Sequence, residues 1–441
     1  MSSVETVEAT HAPAGAAKRS MAWRIKAIFG GSIGNLVEWY DWYVYSAFAL
    51  YFAKSFFPSG DQTAQLLNTA AVFAAGFIVR PIGSWLMGVY ADKHGRRAAL
   101  VMSMVVMGLG SLVIAITPDF AAIGFFAPLI LVLARIGQGL SVGGEYAASA
   151  TYLSEVAGKN LRGFFGSFQY VTLIMGQLLA LATAVVLQTQ MDPADLAAWG
   201  WRIPFAIGAV LSILALFVML RLEETESFEA VKKKAKPINS WKMMAEHPKE
   251  LLIVLGLTCG GSLGFYTFST YIQQFLANTS GFTKEAATEI TTVAMLIFMC
   301  VQPLFGWISD KVGRKPLLIA FGILGTLMTV PIMSTLEGTK DATTAITLVS
   351  LALIVQSCYT SISGLFKAEM FPTEIRALGV GLPYALGVSL VGGTGPFVAL
   401  LFKNEGHESL FYWYVTFFIA IFLATAIYAR DMKAHSKILE D

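Results

Sequence analysis

"GVYADKHGRR" at residues 88–97 and "GWISDKVGRK" at residues 306–315 are two copies of one motif. Asp92 matches Asp310, Gly95 matches Gly313 and Arg96 matches Arg314, each at an offset of 218. A second pair follows in the same order, "SEVAGKNLRG" at 154–163 and "AEMFPTEIRA" at 368–377. Here Glu155 matches Glu369 and Arg162 matches Arg376 at an offset of 214. Two motifs, in order and at nearly one offset, point to a duplicated unit. Each motif caps an apolar run long enough to cross a membrane. The pattern therefore predicts parallel repeats with a substrate site between them near the midplane.

Working outward, apolar runs occur near residues 25–53, 66–90, 98–117, 124–154, 163–189, 201–221, 250–276, 288–309, 316–334, 343–366, 377–402 and 409–429. The fold class expected is an all-α polytopic membrane protein of twelve spans in two six-helix halves. Composition agrees. Of 441 residues, 56% are hydrophobic and 14% charged, against about 25% charged in a soluble domain. The organisation expected is a tail (1–24), a first bundle (25–221), a linker (222–249), a second bundle (250–430) and a tail (431–441). The linker contains "EETESFEAVKKKAKPINSWKMMAEHPKE" (223–250), a solvated charged stretch whose lysines could meet anionic lipid.

Charge placement sets an orientation. The termini and the loops after runs 2, 4, 6, 8 and 10 carry 23 Lys and Arg, and the other loops carry 4. The positive-inside rule places both termini in the cytoplasm; the localisation expected is a bacterial inner membrane. Residues 1–20 contain no apolar segment of signal-peptide type, so the first span is expected to direct insertion. Cys259, Cys300 and Cys358 lie in apolar runs at no metal-site spacing and read as small core residues. No Walker loop, HExxH or Ser/His/Asp constellation appears, so neither an enzyme nor a cofactor nor a metal is expected. No basic face is left over for nucleic acid. The chain is expected to work as a monomer in lipid.

The repeated motif reads as a tight turn that glycine permits, with an aspartate in reach of basic side chains or of a helix N-terminus. Two charge clusters follow, Asp92/Arg96/Glu155/Arg162 and Asp310/Arg314/Glu369/Arg376, able to hold the helix ends together in one conformation and release them in another. Setting membrane topology is the plainer role for the same charges.

Charges also sit inside the spans. "GNLVEWYDWYVY" (34–45) carries Glu38 and Asp41 three residues apart, on a stripe with Asn35 that must face protein or water rather than lipid. Arg80 and Arg135 are the deep basic residues. Arg80, beside Pro81, suits a substrate carboxylate, because a guanidinium fork matches one and does not deprotonate. Glu38 is a second candidate proton carrier, and Glu145 lies ten residues past Arg135. Arg202 serves either as an interfacial anchor or to draw anions inward. Lys367 either snorkels to the surface or helps release an anion. Tyr43, Gln169, Tyr266, Tyr271, Gln273 and Tyr384 complete a polar lining, with packing as the alternative for each. Pro204, Pro303, Pro383 and Pro396 mark possible bends.

The motifs resemble the signature loops of the major facilitator superfamily along nearly the whole chain. "GNLVEWYDWYVY", "FIVRPIGSWLMG" (77–88), "ARIGQGLSVGGE" (134–145) and "GWRIPFAIG" (200–208) resemble its metabolite:proton symporter family. "FYTFSTYIQQFL" (265–276) and "CYTSISGLFKAEMFPTEIRALGVGLPYA" (358–385) are similar to the α-ketoglutarate permeases within it. Proline/betaine members typically end in a long coiled-coil tail, which this sequence does not show. The resemblance implies proton-coupled uptake of α-ketoglutarate or a related dicarboxylate by alternating access. Citrate, shikimate or a betaine is the alternative substrate, and a non-transporting receptor the alternative class. By analogy with sugar:proton symporters of the superfamily, it also implies that Asp41 pairs with Arg135 and is the first candidate for proton coupling, ahead of Glu38 and Glu145, protonation of Asp41 loosening the pair.

Overall fold

A computed structural model describes residues 21–94, 96–143, 146, 150, 160–220, 246–372 and 375–438, with backbone alone for 21–32, 88–89, 91–94, 96–97, 99–100, 377 and 434. Twelve helical spans run through it. In the first half they are α1 (Met21–Phe56), α2 (Gln62–Met87), α3 (Arg96–Ile116), α4 (Phe126–Val142), α5 (Arg162–Gln190) and α6 (Arg202–Leu220). In the second they are α7 (Pro248–Asn278), α8 (Lys284–Val312), α9 (Lys315–Gly338), α10 (Ala342–Glu369), α11 (Leu378–Asn404) and α12 (Ser409–Tyr428). Helix is the form an apolar chain must take here, because lipid offers the backbone no hydrogen bonds. Polar caps mark where several helices begin. Asp61 accepts the Ala64 N–H at 2.9 Å, Thr283 that of Ala286 at 3.2 Å and Asp341 that of Thr344 at 2.7 Å.

The bundle is greasy outside and polar within. Leu109, Leu133, Phe217, Leu252, Leu327 and Phe417 are exposed, while Glu38, Asp41, Arg80, Arg135, Gln138 and Lys367 are buried. The exposed set suits hydrocarbon; the buried set has to find partners inside the protein.

The halves meet along α2 with α11 and α5 with α8, with α1 packed on α7. Under the duplication α2 corresponds to α8 and α5 to α11, so the first two contacts are copies of each other. Glycine makes the second one close. A Cβ on Gly163 would collide with the Gly306 carbonyl and with Ser309, and a Cβ on Gly306 with the Gly163 carbonyl. Gly306 opens the second motif copy, and Gly313 in the same copy turns the chain at φ +98°, as the turn reading of that motif expects. Gly95 lies outside the described residues.

Two wide turns interrupt the second half. Residues Tyr266–Tyr271 of α7 and Val388–Gly392 of α11 wind as π-helix. Such turns loosen the regular backbone ladder and recur at functional sites. Here the other half exploits them. Tyr43 donates to the Ser269 carbonyl at 2.7 Å and Ser46 to the Thr270 carbonyl at 3.1 Å, while Ser389 donates back to the Phe77 carbonyl at 2.6 Å. The α8 and α11 helices continue through Pro303 and Pro383.

Candidate functional site

A cleft lies between the halves, walled by α1, α2, the turn after α4, and α11. Its polar and aromatic lining includes Asn35, Glu38, Trp39, Arg80, Tyr146 and Tyr384. Two copies of one helical unit leave this seam because their contacts concentrate along α2–α11 and α5–α8. The cleft has room for about one water molecule in this conformation.

Among the described residues, contacts between the halves stand on both faces. On one face, Tyr43 and Ser46 reach α7, Gln274 donates to the Ser46 carbonyl at 3.0 Å, and Lys284 donates to the Leu50 carbonyl at 2.7 Å. On the face bearing the repeated motifs, Asp310 accepts the Gly163 N–H at 2.7 Å and the Phe164 N–H at 2.9 Å. Tyr146 stacks on Tyr384 with ring centres 3.5 Å apart, and its hydroxyl lies 3.2 Å from Ser363 Oγ. Contacts on both faces are the arrangement of an occluded conformation among the described residues.

Arg80 is buried among aromatic rings. Its guanidinium carbon lies 3.9 Å from the Phe77 ring centre and 4.3 Å from that of Trp42, and its Nε and Nη2 have no hydrogen-bond partner. Arg135 lies against the same Trp42 at 3.9 Å, with Tyr45 at 4.5 Å. Its Nη1 donates to Gln138 Oε1 at 2.8 Å, and its Nε and Nη2 are likewise without partners. Ring faces hold a guanidinium without using up its donors. Both residues therefore carry buried donor nitrogens without a hydrogen-bond partner.

The acids of α1 part company. Glu38 lines the cleft, whereas Asp41 turns into the first half. Three residues advance a helix by about 300°, which leaves their side chains about 60° apart. Ser111 donates to Asp41 Oδ2, Gln138 Nε2 approaches the same atom at 3.4 Å, and Oδ1 faces Gly208 without a hydrogen-bond partner. The direct Asp41–Arg135 pair implied by the resemblance is replaced by a bridge. Gln138 stands between them, accepting from Arg135 and donating toward Asp41. Gln138 and Ser111 were not among the expected site residues. Gln138 follows Arg135 by three residues and so shares its face, a signal open to the sequence.

The remaining candidates divide. Tyr384 lines the cleft, and Tyr266 lies close by, within electrostatic reach of Arg80 and Glu38. Gln169 sits at the join of the halves, its Oε1 close against Gly364, and donates to the Tyr146 carbonyl of its own half at 3.3 Å. Tyr43 belongs to the opposite-face seal, and Gln273 donates to Thr288 at 2.9 Å within the second half. Arg202 is away from the cleft. It donates to the Thr117 carbonyl at 3.1 Å, closing the end of α3, and lies over Trp201 at 4.1 Å. That is the anchor arrangement, set by its place at the first residue of α6. Lys367 does not snorkel. It is wholly buried, because α10 carries it inward against Tyr359 and Ser363. Tyr146 was also missed, although it follows Glu145 directly. Glu145 lies outside the described residues.

Of the two charge clusters, the second has all its side chains described, and the first only that of Arg162. Arg314 bridges Asp310 at 3.2 Å and Glu369 at 3.3 Å. Arg376 donates to the carbonyls of Phe371 at 3.3 Å and Lys437 at 3.2 Å, and Arg162 donates to the Ile438 carbonyl at 3.4 Å. Glu155 lies outside the described residues, as do the side chains of Asp92 and Arg96.

Comparison with known proteins agrees with this geometry. Residues 27–237 match the family model for the sugar (and other) transporter, and residues 254–438 match that for the major facilitator superfamily. The chain is 52% identical to the alpha-ketoglutarate permease of Escherichia coli, covering 93% of this chain and 95% of that one. It is 30% identical to a proline/betaine transporter of Salmonella typhimurium (92% and 83% covered) and 29% to a citrate-proton symporter of Klebsiella pneumoniae (93% of each). Among solved structures, a D-xylose-proton symporter superposes with a TM-score of 0.73 at 21% identity, covering 95% of this chain and all of that one. These relatives are transporters and not enzymes. The chain is a multi-pass membrane protein that belongs to the major facilitator superfamily.

Proposed function

We propose that this protein imports α-ketoglutarate or a closely related dicarboxylate together with protons, by alternating access, with the motif face and both termini in the cytoplasm. The observation that carries the reading is Arg80: a buried guanidinium on the wall of a cleft between the halves, with two donor nitrogens unused. An unsatisfied buried cation is costly. A carboxylate bound in the cleft removes that cost; the 52% identical permease is a relative whose named cargo has that chemistry, as is the more distant citrate-proton symporter.

In this reading Asp41 is the proton site. Gln138 links it to Arg135, and Trp42 links Arg135 to Arg80, so a change of charge at Asp41 alters the hold on the arginine nearest the cleft. Asp310 is the catch on the cytoplasmic face, since its two cross-half bonds exist only while that face is closed. The aromatic lining (Trp39, Tyr146, Tyr384) supports a second reading, a zwitterion symporter, because ring faces bind quaternary ammonium groups. The test is uptake of labelled α-ketoglutarate into proteoliposomes with an inward proton gradient, with and without protonophore. Accumulation that collapses with protonophore and yields to unlabelled α-ketoglutarate is the expected result. Competition by betaine alone would transfer the assignment to the second reading.

A further inference from the structure

Lys367 is a buried lysine with no carboxylate partner among the described residues. Its side chain is wholly enclosed, and among the described residues its Nζ donates to neutral oxygens alone, Tyr359 Oη at 3.1 Å and Ser363 Oγ at 3.0 Å. Three tyrosine rings surround it, Tyr384 at 4.7 Å, Tyr359 at 5.4 Å and Tyr146 at 5.5 Å. No carboxylate lies within ion-pair distance among the described residues, and Glu369, two residues on, is taken up by Arg314. Ring faces and hydroxyls offset part of the cost of burying an ammonium but not all of it. A lysine held in such a place inside a membrane bundle points to a task.

Its position suggests which one. Tyr146 and Tyr384 line the Arg80 cleft on one side and face Lys367 on the other. Tyr146 comes from the first half and Tyr384 from the second, so the stacked pair is a partition made by the closed halves. Ser363 takes part in both contacts, lying against the Tyr146 hydroxyl and accepting from Lys367. Withdrawing Tyr146 as the motif face opens would leave Ser363 and Lys367 facing the cleft together.

We propose that Lys367, with Ser363, is the subsite for the second carboxylate of a dicarboxylate whose first carboxylate is held by Arg80, and that the Tyr146–Tyr384 pair covers this subsite in the occluded state. This rests on the anion-transport reading above and extends it to specificity. A fork on one half and a point charge on the other make the ligand a bridge between halves. A monocarboxylate or a zwitterion would leave one of the two cations unmatched.

The experiment compares displacement of labelled α-ketoglutarate by unlabelled α-ketoglutarate and by 2-oxobutyrate, its monocarboxylate counterpart, in purified full-length wild-type, Lys367→Met, Lys367→Gln and Lys367→Arg proteins. Wild type is expected to prefer the dicarboxylate by about 10- to 100-fold, the worth of one charged hydrogen-bonded contact. Methionine and glutamine should bring the preference below about 3-fold, and arginine should keep most of it. The ratio does not depend on how much protein is folded. The glutamine variant retains a donor for Tyr359 should methionine not be tolerated. A preference unchanged in either neutral variant would overturn the subsite while leaving dicarboxylate transport standing. Wild type that binds neither ligand would instead reject the transport reading, and the subsite with it.

Discussion

Replacing Asp310 by asparagine is expected to release the motif face. In the occluded state the Asp310 carboxylate accepts the backbone N–H groups of Gly163 and Phe164 from the other half, at 2.7 and 2.9 Å. Its ion pair with Arg314 lies within the second half and makes no contact across the halves, so it is left out of the gating difference. Only the two amide bonds count. Each is charge-assisted and contributes about 1.5–3 kcal/mol. An asparagine keeps one neutral acceptor for one amide and turns an NH₂ toward the other. The net loss is about 3 kcal/mol, which changes the closed-to-open ratio by about a hundredfold at about 1.4 kcal/mol per decade. Hydrogen exchange of peptides covering residues 162–168 reads this directly, because those amides exchange when the face opens. Exchange there should quicken by up to that factor, while peptides covering 266–276 on the far side keep their protection. Unchanged exchange at Gly163 and Phe164 would refute the latch. Equal loss of protection at both sites would mean general destabilisation instead.

Three further outcomes follow from the same geometry. Arg80→Lys should lower the initial rate of α-ketoglutarate uptake by at least about tenfold, because a point charge reproduces neither the fork nor the stacking on Trp42 and Phe77; wild-type kinetics would leave Arg80 with a structural role only. Asp41→Asn should abolish accumulation driven by a proton gradient while exchange of internal for external substrate persists, and full accumulation would remove Asp41 from coupling. Gly163→Ala should hold the motif face open, since the added methyl meets the Gly306 carbonyl and Ser309; spin labels across that face should report a longer distance, and an unaltered distance would mean that the α5–α8 approach can yield.

Much of the architecture was legible in residues 88–97 and 306–315 and in the runs around them. Span length, loop charge and the repeat are local properties, and lipid leaves an apolar run little choice but helix. The same holds for Gly313, whose turn follows from its place in the motif. The site was legible residue by residue but not in its pairings. Arg80, Glu38 and Tyr384 were marked by being polar or basic inside a span, and they do line one cleft. Arg202 was marked by the same rule and lies elsewhere, because position along a helix says how deep a side chain sits and not which neighbour it meets.

That limit is geometric. Glu38 and Asp41 are three residues apart, yet about 60° of helix rotation sends one to the cleft and the other toward Ser111, Gln138 and Gly208. Lys367 lies near the end of a run, where a lysine often reaches water, but the packing of α10 against the tyrosines encloses it. The sequence by itself determined twelve helices, their duplication and the stock of charges within them, since each depends on residues close along the chain. Which charges face each other, which are bridged by a glutamine and which stand behind a pair of rings was decided only by tertiary structure, because those relations depend on how each helix is turned about its axis and on which half it leans against.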